Sequence, residues 1–209
     1  MSVFNYPIFL CFIIFILWSA YERSKIKRAE QSQNDNFWKN ESDANFSRRK
    51  NLDLLTYITI PYESFPMDQY DIEALKPIEE KLSSMSDKRI LNLTGKTSTE
   101  IKTEYGASNL PLLSEYDENY TELVKTLNEY AHILFEAGYV DDAATVLEFA
   151  ISTGSDIKGT FVLLGDIYIS RGQLEKIDEL KMMAGQLDSL MKNPIINALD
   201  DAVSAVRES

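Results

Sequence analysis

The chain has 209 residues, 33 acidic and 21 basic, and its charge is uneven: residues 1–50 net +3 and the remainder −15. That length allows one domain with appendages, and an acidic body without a basic stripe excludes nucleic-acid binding, which needs Lys and Arg that displace counterions. The single cysteine, Cys11, excludes an intramolecular disulfide and a cysteine zinc site.

From Val3 to Trp18 the sequence reads VFNYPIFLCFIIFILW, with Asn5 its one strongly polar side chain. Extended to Tyr21 as a helix, it measures roughly 28 Å at about 1.5 Å per residue, close to a hydrocarbon core of about 30 Å. Trp18 and Tyr21 suit one interface and Tyr6 the other. A cleaved signal peptide would need a basic residue ahead of the run and small residues at the cut. No Lys or Arg precedes it, and Trp18 sits in the Trp18-Ser19-Ala20 triplet. A lipoprotein signal fits worse, since Leu10 stands before Cys11. Residues 1–21 therefore read as a single transmembrane anchor, with residues 3–21 in the lipid bilayer. Arg23, Lys25, Lys27 and Arg28 crowd its far flank, which places the body of a single-pass cell-membrane protein in the cytoplasm. Four Asn-x-Ser/Thr triplets, at Asn40, Asn45, Asn92 and Asn119, match a glycosylation acceptor and favour the other side, but the basic flank is the stronger signal.

Residues 22–51 are polar and mixed in charge, with almost no aliphatic content, and read as a flexible tether. Residues 52–115 read as a mixed extended and helical segment that packs on the helical region C-terminal to it. Within it, LLTYITIPYESFP (54–66) is apolar and punctuated by Pro61 and Pro66, so it lies extended rather than helical. It serves either as a permanent core element or as a plug that a partner displaces. Residues 71–86 read as a helix kinked by Pro77, and Thr97 with Glu100 fits a capping box for a short helix ending at Gly106.

Residues 116–192 carry an internal period. Gly138 and Gly172 lie 34 residues apart, and each ends a helical pattern. Ahead of the first, Tyr120, Leu123, Val124, Leu127, Ala131, Leu134 and Phe135 recur at steps of three and four. Phe161, Leu164, Ile167 and Tyr168 repeat that face ahead of the second. Ala143, Leu147, Ala150 and Ile151, ending at Gly154, form a returning helix, and Ile177, Leu180, Met183, Ala184 and Leu187 form its counterpart. Residues 193–209 read as a capping helix opened by Asn193 and Pro194, with one stripe of Ile195, Ile196, Leu199, Ala202, Val203 and Val206.

This pattern resembles the tetratricopeptide repeat, a helix pair of 34 residues. The copy FVLLGDIYISRG carries its large apolar residue (Phe161), Leu-Gly pair (Leu164, Gly165), Tyr168 and turn glycine Gly172. The copy LNEYAHILFEAGYVDDAATVLEFAI matches at Ala131, Gly138, Ala143 and Ala150 and departs at Tyr130 and Leu134. The second copy departs at Ile177, where the family has Ala, which implies looser packing of its second helix. The resemblance implies an all-α superhelix with a concave groove for a protein or peptide partner. Its groove positions fall on Lys125, Asn128, His132, Phe135, Val162, Asp166 and Ile169. The stretches LLTYITIPYESFP, RILNLTG and NLPLLSEYDENY also resemble membrane-anchored repeat proteins of Gram-positive anaerobic bacteria, a group that lends no activity.

Other side chains support bland readings. Gly95-Lys96-Thr97 ends like a phosphate loop, but Ile90 stands where that motif needs Gly, so a turn before a capped helix is expected. His132, the one histidine, reads as a groove residue or a partly buried structural imidazole. Asp117-Glu118 and Asp141-Asp142 read as helix-start charges. No catalytic group, metal ligand set or cofactor is expected. The leading function is a membrane-tethered adaptor without catalysis. The alternatives are an enzyme with an unrecognised site, or an accessory of a membrane or secretion complex that acts through its basic juxtamembrane residues.

Overall fold

A computed structural model describes residues 5–208. Among them the regular elements are helical and no strand occurs, as the all-α expectation requires. The α-helices are α1 (Asn5–Asn45), α2 (Lys76–Ser83), α3 (Ser98–Tyr105), α4 (Leu110–Glu136), α5 (Val140–Ser152), α6 (Lys158–Ser170), α7 (Leu174–Gln186) and α8 (Lys192–Glu208). Two compact units result: Met1–Lys50 with Ser98–Ser108, and Asn51–Thr97 with Asn109–Ser209.

In the first unit α1 runs on through residues 22–45, in place of the expected flexible tether. No Gly or Pro occurs between Ile8 and Ile60, and Glu, Lys, Arg, Gln and Ala are good helix formers, so no residue breaks the ladder. Among the described residues no helix is long and apolar enough to cross a membrane. Val3 and Phe4, at the head of the expected anchor, lie outside those residues. Phe15, Ile16, Leu17, Trp18 and Tyr21 are exposed on α1.

The expected helix before Gly106 is present as α3, but it belongs with the end of α1 rather than with the repeats. Glu41 accepts a hydrogen bond from Thr99 Oγ1 at 2.7 Å and pairs with Lys102. These donors, Lys102 first, hold the Glu41 carboxyl below its usual range. Ser47 Oγ donates to Lys102 O at 2.6 Å, and Lys50 N donates to Tyr105 O at 3.0 Å. Gly106, at φ +94°, lets two backbones meet: a Cβ there would lie 2.6 Å from Arg49 Cα.

In the second unit α4–α5 and α6–α7 are successive hairpins of one design. Gly138 N donates to Phe135 O and Tyr139 N to Leu134 O; in the next pair Gly172 N donates to Ile169 O and Gln173 N to Tyr168 O. Both glycines have positive φ, as this helix-ending motif demands. Equivalent side chains are buried in pairs: Leu127 and Phe161, Tyr130 and Leu164, Leu134 and Tyr168, Ala150 and Ala184. Ile177, expected to loosen α7, is fully buried. Gly165 makes the room: a Cβ there would sit 2.8 Å from Leu199 Cδ2 of α8 and 3.9 Å from Ile177 Cδ1.

Each end of the stack has a cover. At one end Ile195 and Leu199 of α8 are buried, and Lys181 of α7 reaches Asp200 at 3.1 Å. Helix α8 starts at Lys192, so Asn193 lies inside its first turn rather than capping it. At the other end residues 54–66 are a core element: Ile60 and Phe65 join the same buried cluster as Tyr130 and Leu134. Phe65 meets Phe149 edge-on at 5.6 Å, and Ile58 N donates to Ile90 O at 2.9 Å. The helix expected over 71–86 shrinks to α2, because Pro77 sits in its first turn, where a missing N–H costs nothing, instead of kinking its middle. Its buried Glu79 accepts the Tyr130 hydroxyl at 3.0 Å. Helix α4 starts at Leu110, six residues before the expected boundary at 116, with Pro111 in its first turn.

Candidate functional site

The expected groove positions occupy one face of α4 and one of α6. Residues two apart on a helix point about 200° apart, so Asn128 and His132 turn away from buried Tyr130 and Leu134. The same offset turns Val162 and Asp166 away from buried Leu164 and Tyr168. All seven retain access: Lys125, Phe135 and Asp166 are exposed, while Asn128, His132, Val162 and Ile169 are half-buried.

Part of this face is tied together. Asn128 Oδ1 accepts a hydrogen bond from Thr160 Oγ1 of α6 at 3.1 Å. A Cβ on Gly159 would lie 3.2 Å from Asn128 Oδ1 and 3.8 Å from His132 Nε2, so the missing side chain admits both residues of α4. Gly159 and Thr160 were not legible as site residues. Their signal is a glycine in the first turn of α6, 31 residues after the polar Asn128 of α4. Ile169 leans on the core, while Lys125 and Asp166 form no ion pair among the described residues. Partial desolvation raises the Asp166 carboxyl from its usual value, although the side chain stays open to solvent.

The remaining positions behave as ordinary structure. Lys96 N donates to Leu93 O in a turn, and Gly95 lies against the Asp188 carboxylate, which would repel a phosphate. Asp117 is not at a helix start; eight residues into α4, it accepts Leu93 N at 2.9 Å. Asp141 and Asp142 do open α5, and Asp142 also accepts the Tyr70 hydroxyl at 2.6 Å. Among the described residues no group of three or more His, Cys, Asp or Glu side chains could hold a metal ion. No family model, curated protein or solved structure matches the chain.

Proposed function

We propose that this chain is a membrane-tethered adaptor of the tetratricopeptide-repeat type, which holds a protein or peptide partner against the face shared by α4 and α6. The observation that carries the reading is the repetition of turn geometry and buried side chains at a spacing of 34 residues in the two hairpins. Such stacks leave one row of helices open, and that row is a peptide-sized surface. Phe135 and Val162 supply apolar anchors, Asn128 and His132 polar contacts, and Lys125 and Asp166 opposite charges at separate points. The reading assigns no catalytic group and no cofactor.

The tether rests on the apolar run over 3–21, the interfacial pair Trp18 and Tyr21, and the basic flank from Arg23 to Arg28. Because α1 stays helical to Asn45, its polar half forms a stalk of roughly 36 Å at about 1.5 Å per residue. Membranes washed at alkaline pH test the anchor: the full chain stays in the pellet, and release into the wash overturns that half. Affinity capture with the full chain tests the groove. A discrete partner retained by the parent chain and lost by Phe135→Ala with Val162→Asp supports it, whereas an unchanged set of captured proteins contradicts it.

A further inference from the structure

The opposite side of the repeat stack carries a second cleft, of about 280 Å³, between α5, α6 and α7. Its floor is apolar, made by Ile151, Leu164 and Leu180, with Met183 half-exposed at the edge. Leu164 and Tyr168 point about 200° around α6 from Asp166, so this cleft shares nothing with the face shared by α4 and α6.

The mouth is charged in a particular way. Tyr168 donates its hydroxyl to Glu148 Oε1 at 2.6 Å, and Lys176 Nζ lies 3.6 Å from the same oxygen. Lys176 also sits 4.5 Å from the centre of the Tyr168 ring, so this ammonium is already committed on two sides. Glu179, in the same lining, forms no ion pair among the described residues. Burial first, then Glu148 and Glu179, hold the Tyr168 proton in place, which places both carboxylates in the field of that hydroxyl. Two carboxylates therefore face one engaged cation above an aliphatic floor. The volume lies just under the range of about 300–1,000 Å³ typical of small-molecule sites and suits one or two side chains. Methionine at the edge adapts to either.

We infer that this cleft docks a short peptide segment in which a Lys or Arg stands beside a leucine-sized residue. The cation meets Glu179 and Glu148, and the aliphatic side chain covers Ile151, Leu164 and Met183. The chain thereby gains a second docking point, built from α5, α7 and the side of α6 turned away from the first face.

Full-length chain in zwitterionic micelles, labelled at its methionine methyls, tests this by NMR with acetyl-Leu-Lys-Leu-amide as the probe. The Met183 methyl shifts saturably, with a Kd on the order of 1 mM for so small a contact, while the methyl of buried Met85 stays fixed and reports an intact fold. Acetyl-Leu-Glu-Leu-amide leaves Met183 in place. Glu179→Lys weakens the lysine peptide about fivefold, the scale of one exposed charge contact. Asp201→Lys, an equal charge change on the exposed side of α8, has no effect on it. Equal shifts from both peptides, equal weakening by both variants, or no shift at Met183 would overturn the inference.

Discussion

Phe65→Ala isolates the claim that the segment before the repeats is part of their core. The Phe65 ring is 3% exposed, edge-on to Phe149 at 5.6 Å and 6.4 Å from Tyr130. Truncating a buried phenylalanine costs about 3–5 kcal/mol, through lost transfer energy and an unfilled cavity. Leu54, in the same segment, is 87% exposed, so Leu54→Ala changes stability by no more than about 0.5 kcal/mol. With a urea slope of about 2 kcal/mol per molar, the Phe65 variant unfolds roughly 1.5–2.5 M earlier, and the Leu54 variant coincides with the parent. Circular dichroism of the full chain against urea reads both, because the second unit is mostly helix. Were the segment a displaceable plug, both variants would unfold with the parent; a coincident Phe65→Ala curve refutes the packing argument.

Gly106→Val puts a side chain at φ +94° and within 2.6 Å of the Arg49 backbone, so α3 detaches from the end of α1. The strain alone is about 1–3 kcal/mol, and hydrogen exchange over 98–105 should rise while α4–α7 stays protected. Tyr130→Phe leaves the buried Glu79 carboxylate without its hydroxyl donor and costs about 1–3 kcal/mol in thermal or urea unfolding. In alkali, Tyr120 ionises only near about 12 because it is buried; Tyr130 and Tyr168 are raised further by burial and then by Glu79 and Glu148. The unfolded chain releases those protons near about 10, so stability is intact below that pH and falls as pH rises from there toward 12. Absorbance at the tyrosinate band should show these groups titrating late and together with loss of helix; early titration with the helix signal unchanged contradicts their burial.

Local signals carried most of the repeat region. Gly138 and Gly172 each end a helix because only glycine takes positive φ cheaply, and apolar steps of three and four mark which face is buried. What stayed illegible depends on contacts distant in sequence. Nothing near Ser98–Tyr105 shows that Lys102 will meet Glu41, sixty-one positions away, rather than a repeat helix. The polar half of α1 reads as a tether because low aliphatic content argues against a core, yet helix needs only compatible residues and no breaker. Ile177 reads as an intruder in its own helix, since the compensating space at Gly165 lies on another. On the candidate face the seven positions come from the family resemblance, which does not point to Gly159, whose value comes from the absence of atoms beside Asn128 and His132. The second cleft combines α5, α6 and α7, and no single helix pattern announces it.

Photo-crosslinking in living cells tests most directly whether the row of α4 and α6 receives a partner. A benzophenone amino acid is placed in the full chain at Phe135 or Val162, and for comparison at Leu54 or Leu190, which are exposed elsewhere. Illumination should yield one discrete heavier species from the first two positions and none from the others. No adduct at Phe135 and Val162, or the same adducts from all four positions, would contradict it.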